Sequence, residues 1–76
     1  MNSIKVYTNG RLEEFTAGDR FEIENEKGTY FRWRVYGYNK NGKHQIGGYF
    51  RECDERYAQQ YADTLNAKLK ALESGT

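Results

Sequence analysis

The fold is decided by residues 30–51, which read YFRWRVYGYNKNGKHQIGGYFR. Strict alternation in the first half places Phe31, Trp33 and Val35 on one face of a strand and arginines and tyrosines on the other. Asn41-Gly42 follows, and Asn-Gly is the strongest short signal for a two-residue hairpin turn, because both positions of a type I′ turn need positive φ. The segment therefore predicts a β-hairpin.

Counting outward from an Asn41-Gly42 loop gives the register of the two strands. The large apolar side chains then share one face, and a one-residue slip would destroy this agreement. The predicted pairs are Trp33–Phe50, Arg34–Tyr49, Val35–Gly48, Tyr36–Gly47, Gly37–Ile46, Tyr38–Gln45, Lys40–Lys43 and Arg32–Arg51.

The preceding segment, Arg20 to Asn25, also alternates, and the Glu26-Lys27-Gly28 stretch after it predicts a three-residue loop that ends in glycine. This second turn predicts a three-stranded antiparallel meander over about residues 20–51. The predicted pairs are Phe21–Trp33 and Ile23–Phe31 on the core face, and Glu22–Arg32 and Glu24–Tyr30 on the outer face.

The N-terminal residues, about 3–16, contain an alternating segment, an Asn9-Gly10 turn signal and a less regular return segment. They predict a hairpin that either joins the main sheet or lies over its edge. Leu12 and Phe15 do not alternate cleanly, so the face of the second strand stays open.

The C-terminal residues predict a helix over about 55–73. Asp54 is a candidate N-cap, and Gly75 can stop the helix. The expected amphipathic stripe comprises Tyr57, Tyr61, Leu65, Leu69 and Leu72, with Ala58 and Ala62 beside them. One sheet face and one helix stripe each need covering, so we expect one α+β domain spanning residues 1–76. Its antiparallel sheet of three to five strands carries the C-terminal helix on one face.

Aromatic residues must compensate for a shortage of aliphatic ones. Leu, Ile, Val and Phe make up only 13 of the 76 residues, but the chain has 12 aromatic residues. Aromatic rings bury a large area per residue. We expect Phe21, Phe31, Trp33 and Phe50 to supply much of the core.

The formal net charge of +1 hides a strong segregation along the chain. Residues 1–26 carry a net −3, residues 27–51 carry +6 with no acidic residue, and residues 52–76 carry −2. The +6 block coincides with the predicted hairpin, where it could contact a polyanion.

The predicted outer sheet face is the candidate binding site. Arginine can bind phosphates and guanine edges, tyrosine can stack on bases, and both residue types are enriched in protein interface hot spots. Nucleic acid, with DNA favoured, is the leading interpretation; a host protein, an ordinary solvated face with Arg34 stacked on Tyr49, and a homodimer are the alternatives. The candidate binding residues are Arg32, Arg34, Tyr36, Tyr38, Lys40, Lys43, Tyr49 and Arg51.

No catalytic or cofactor-binding pattern is evident in the sequence. His44, the only histidine, is expected to face solvent near the hairpin tip, and neither a metal site nor another cofactor is expected. Gly47-Gly48 leads into a strand, unlike a phosphate-binding loop. A single cysteine, Cys53, with no secretory signal and no apolar run of membrane-spanning length, favours a cytoplasmic protein without membrane contact. We expect a non-enzyme.

The order of elements from Tyr30 to Leu69 is strand, Asn-Gly turn, a strand ending Gly-Gly-Tyr-Phe-Arg, and an alanine- and tyrosine-bearing helix. It resembles the three-stranded-sheet-plus-helix DNA-binding domain of plant ethylene-response factors and of phage integrase arm-binding domains. That resemblance covers about 50 residues when the Phe21 strand is included, and rests on topology. It implies that Arg32, Arg34 and Tyr36 enter the major groove, with Lys43 and Arg51 on phosphates. By size and style alone, the chain is also similar to small phage accessory proteins, including anti-CRISPR inhibitors.

Overall fold

The computed structural model describes residues 3–8 and 10–74. Asn9 of the predicted first turn and Gly75, the predicted helix stop, lie outside the described residues. An antiparallel sheet is followed by a C-terminal helix, which confirms the α+β class. The elements are β1 Ser3–Thr8, β2 Arg11–Thr16, β3 Arg20–Asn25, β4 Trp33–Asn39, β5 Gly42–Phe50, a 3-10 turn Glu52–Asp54 and α1 Glu55–Ser74.

The sheet has five strands in the order β2-β1-β5-β4-β3. The N-terminal hairpin joins the sheet through β5, at the pair Thr8↔Ile46, so it does not lie over the edge as a separate unit. The two outermost strands, β2 and β3, are consecutive in sequence and are linked only by residues 17–19. This short link holds an end of β2 close to the start of β3, so the sheet must curl.

Two phenylalanines from opposite edges of the sheet meet inside this curl. Phe15 of β2 and Phe21 of β3 are both buried, and their ring centroids are 4.6 Å apart. They lie against Gly37 of β4, where an added Cβ would come within 2.7 Å of the Phe15 ring and 2.8 Å of the Phe21 ring. The absence of a side chain at Gly37 therefore permits the two rings to close the sheet.

Helix α1 contributes half of the buried apolar cluster. Its spacing of 4, 3 and 4 residues between Ala58, Ala62, Leu65 and Leu69 follows the helical period. The other buried members of the cluster are Phe15, Phe21, Val35 and Ile46. The predicted stripe was wrong at its N-terminal end, because Tyr57 and Tyr61 lie one position away from the buried alanines and are 54% and 38% exposed.

A side-chain amide of the helix satisfies the outer edge of β3. The Phe21 N–H donates to Asn66 Oδ1 at 2.8 Å, and Asn66 Nδ2 donates to the Phe21 carbonyl at 2.9 Å. Asn66 thus replaces a neighbouring strand at this position. None of the described residues forms a helix that is long and apolar enough to cross a membrane.

The predicted register of β4 and β5 is correct at one end only. Trp33↔Phe50 and Arg34↔Tyr49 are confirmed, but the ladder then shifts by two residues to Val35↔Ile46. Gly47 and Gly48 form the irregularity, with Gly47 at a φ of +69°. The turn residues are consequently Lys40 and Asn41, not Asn41 and Gly42. Because side chains alternate with a period of two, a two-residue shift leaves Arg34, Tyr36 and Tyr49 on their predicted face.

The predicted register of β3 and β4 is wrong by four residues. Phe21 lies opposite Gly37 and Ile23 opposite Val35, since residues 26–32 form a longer loop than expected. The loop is held by its own hydrogen bonds: the Glu26 N–H donates to the Arg32 carbonyl at 2.5 Å, and the Thr29 hydroxyl donates to the Glu26 carbonyl at 3.1 Å.

This loop removes Phe31 from the core. Phe31 is 53% exposed, and the buried ring that the prediction missed is Phe15. Trp33 and Phe50 are half-buried and pack against the buried cluster, so their predicted contribution to the core is partial.

We predict that Gly37→Ala destabilises the fold by about 1–3 kcal/mol, because the new methyl group overpacks the site where the Phe15 and Phe21 rings meet. Gly48→Ala is the matched control in the neighbouring strand, since no atom lies within 4 Å of its added Cβ. Its free energy of unfolding should stay within about 0.5 kcal/mol of wild type. Urea unfolding measures both, and equal stabilities for the two variants would contradict the packing described for Gly37.

Candidate binding face

Strands β3, β4 and β5 carry one continuous face of polar and aromatic side chains. These residues alternate with the buried Phe21, Val35 and Ile46, and side chains that alternate along a strand point to opposite faces of a sheet. We call this set the tyrosine face: Arg20, Glu22, Glu24, Arg34, Tyr36, Tyr38, Lys43, Gln45 and Tyr49.

Cations lie over tyrosine rings in three places on the tyrosine face. The distances from the cationic group to the ring centroid are 4.3 Å for Arg20 over Tyr38, 4.3 Å for Lys43 over Tyr36 and 4.2 Å for Arg34 over Tyr49. The predicted stacking of Arg34 on Tyr49 is confirmed. Such contacts contribute about 0.5–1 kcal/mol each at exposed sites.

Each of these cations also has a carboxylate partner from β3 or the residue that follows it. The nitrogen–oxygen distances are 2.6 Å for Arg20–Glu22, 2.9 Å for Lys43–Glu24 and 2.9 Å for Arg34–Glu26. Two of these pairs, Lys43–Glu24 and Arg34–Glu26, join the basic hairpin to the acidic segment, so antiparallel pairing offsets part of the charge segregation along the sequence. The predicted Glu22–Arg32 pair is wrong, since Glu22 lies opposite Tyr36.

Glu24 links a tyrosine and a lysine of the tyrosine face through hydrogen bonds. The Tyr38 hydroxyl donates to Glu24 at 2.5 Å, and Lys43 Nζ donates to it at 2.9 Å. These two hydrogen bonds lower the pKa of Glu24. The hydrogen bond to Glu24 raises the pKa of Lys43, while burial and then the same carboxylate raise the pKa of Tyr38. Glu24 therefore remains ionised, and Lys43 and Tyr38 protonated, at neutral pH.

The other three predicted binding residues lie outside the tyrosine face. Arg32 precedes β4 and forms an ion pair with Glu52 at 3.3 Å. Arg51 follows β5 and donates from Nε to Asp54 at 2.7 Å, a contact that raises the pKa of Arg51. Lys40 lies exposed in the hairpin turn and forms no ion pair with any residue that the structure describes.

An exposed aromatic cluster adjoins the tyrosine face at the loop before β4. The rings of Tyr30 and Phe31 meet edge to face, with centroids 5.0 Å apart. Together with Thr29, Arg34 and Tyr49 they line a depression of about 310 Å³, which we call the aromatic notch. Sequence reasoning missed it because alternation alone placed Phe31 inside; the polar run from Glu26 to Thr29 is the signal for a longer loop.

A buried carboxylate anchors the β4–β5 turn to β2. Glu13 accepts hydrogen bonds from Asn41 at 2.8 Å and from Asn39 at 3.2 Å, and these bonds lower its pKa. His44 Nε2 lies 3.7 Å from the same carboxylate, and its side chain is only 12% exposed, so the prediction of a solvent-facing histidine is wrong. The alternation of Glu13 with Phe15 was the available signal for this inward position.

Comparison with known protein families, curated proteins and solved structures finds no match. Among the residues that the structure describes, no three or more His, Cys, Asp or Glu side chains are grouped as metal ligands.

We predict that Glu24→Gln reduces the dependence of stability on acidic pH. The pKa of Glu24 in the folded chain lies below the unperturbed value of 4.5. The carboxylate thus contributes stability above about pH 4.5, which is lost as the pH falls through the folded pKa. Thermal melts between pH 7 and pH 2.5 should show a smaller fall in melting temperature for Glu24→Gln.

Tyr38→Phe should give an intermediate pH dependence, because it removes the first of the two hydrogen bonds that lower the pKa of Glu24 and keeps the bond from Lys43. Parallel curves of melting temperature against pH for wild type and Glu24→Gln would show that this network contributes nothing.

Proposed function

We propose that this chain is a non-catalytic module that binds a protein partner through the tyrosine face and the aromatic notch. The observation that carries the proposal is the pairing of cations: Arg20, Arg34 and Lys43 each lie beside a carboxylate of the chain and over a tyrosine ring. Phosphates would have to compete with three glutamates for these cations. A protein surface can use the tyrosines and arginines as they are arranged.

The chemistry of the face matches that of protein interface hot spots. Tyrosine, tryptophan and arginine dominate such hot spots, and side chains that are already fixed lose little conformational freedom on binding. At the aromatic notch, Tyr30 and Tyr49 are 58% and 50% exposed, so an apolar side chain of the partner can bury area there. This is the mode expected of a small accessory protein that masks a host protein.

We also propose that helix α1 covers one side of the sheet and leaves the tyrosine face open on the other. Two features support it. The buried side chains of α1 share a cluster with Phe21, Val35 and Ile46. The tyrosine-face residues alternate along the strands with these same three.

Nucleic-acid binding remains the second candidate function. The exposed rings of Tyr30, Phe31 and Tyr49 beside Arg34 have the composition of a stacking platform for single-stranded bases. Lys40 in the hairpin turn could add a phosphate contact. This mode needs fewer free cations than binding to duplex DNA.

We predict that the double variant Tyr30→Ala/Tyr49→Ala no longer captures the protein partner. Capture by the wild-type chain should survive nuclease treatment. The tagged chain captures proteins from a lysate of the cells in which its gene occurs, with and without nuclease. The purified partner is then titrated by calorimetry. Removal of two exposed hot-spot rings should weaken binding at least tenfold.

The matched control is Tyr7→Ala/Leu12→Ala, which removes a similarly exposed cross-strand pair from the N-terminal hairpin, with exposures of 64% and 59%. It should bind the partner like wild type. Loss of capture after nuclease treatment would favour the nucleic-acid candidate. Equal binding by the two double variants would remove the tyrosine face from the proposal.

A further inference from the structure

Strands β1 and β5 are neighbours in the sheet but are joined over a short distance only. The two strands share one ladder pair, Thr8↔Ile46. From there, the rest of β1 pairs only with β2, while Tyr49 and Phe50 of β5 pair only with β4. Among the described residues, no ladder pair joins residues 3–7 of β1 to residues 47–50 of β5. We call the space between these two segments the gap.

The orientation of the β5 backbone follows from a neighbouring hydrogen bond. The Glu52 N–H donates to the Tyr30 carbonyl at 2.8 Å, which points it towards the β4 side. Backbone groups alternate in direction along an extended chain, so the N–H and C=O of Tyr49 point the opposite way, into the gap. Such groups at a strand edge form a template for another extended backbone.

An open, uncharged groove of mixed polarity adjoins this edge. It has a volume of about 430 Å³ and is lined by Phe50, Tyr57, Gln60, Tyr61 and Thr64, none of which is charged. The ring of Tyr61 lies 3.8 Å from the position of a Cβ on Gly47, and no atom lies within 4 Å of a Cβ on Gly48. The groove is therefore continuous with the glycine irregularity at which β5 leaves β1.

We infer that an extended, uncharged peptide segment of a partner protein inserts between β1 and β5 as an added strand, with an apolar side chain in the groove. The backbone of Tyr49 supplies hydrogen bonds, and Tyr57 and Tyr61 select the side chain, as in other cases of strand addition. The occupant is a single linear segment, because strands of the same sheet flank the gap on both sides. A folded second copy cannot insert its edge strand here, because the strand next to that edge would clash with β1.

The test selects nine-residue peptides from a random display library on the full chain. Synthetic versions of the selected peptides are then titrated by fluorescence polarisation. Enriched sequences should carry apolar residues at alternate positions. Tyr61→Ala should weaken their binding at least tenfold, whereas Tyr30→Ala, in the aromatic notch, should leave it within twofold. Thermal melts establish that both variants are folded.

Backbone N-methylation of the best peptide provides a second readout that does not depend on a protein variant. Methylation at every other residue should reduce affinity at least tenfold, while methylation at the residues between should have little effect. Failure to enrich any peptide, binding that is equally sensitive to Tyr30→Ala, or a methylation profile without alternation would each overturn the inference. Equal sensitivity to Tyr30→Ala would assign the peptide to the aromatic notch and so support the proposed function, and the other two outcomes leave that proposal untouched, so the two proposals fail separately.

Discussion

The close approach of Phe15 and Phe21 over the bare backbone of Gly37 is the constraint on which the rest of the structure depends. These two rings come from the outermost strands of the sheet, and they meet only because Gly37 leaves room for them. Ala58, Ala62 and Leu65 of the helix belong to the same buried cluster as the two rings. A chain with few aliphatic residues thus obtains a core from two aromatic rings and small helix residues.

Strand pairing determines the electrostatics of the surface. Pairing of β3 with β4 places the acidic strand beside the basic hairpin, so Glu24 and Glu26 pair with Lys43 and Arg34. Within β3 itself, Glu22 pairs with Arg20. The tyrosine face is therefore nearly neutral despite the +6 charge of residues 27–51. Short-range ion pairs, not the net charge of a segment, decide which partners such a face can accept.

The sequence predicts well what depends on alternation and poorly what depends on tertiary contacts. The faces of Arg34, Tyr36 and Tyr49 follow from a period of two, which survives register shifts of two and four residues. The register itself depends on where glycines interrupt the ladder and on hydrogen bonds inside a loop. Alternation places Glu13 on the same face as Phe15, but the inward orientation of that face, in place of the Leu12 face, depends on the curl of the sheet.

The salt dependence of partner affinity tests the central claim most directly. If the cations of the tyrosine face are already neutralised by glutamates, few counterions are released on binding. The logarithm of the association constant should then change with the logarithm of salt concentration with a slope shallower than about −1. Each phosphate contact on duplex DNA contributes about −0.9. A slope of about −4 or steeper, with a nucleic acid as the bound species, would contradict the account.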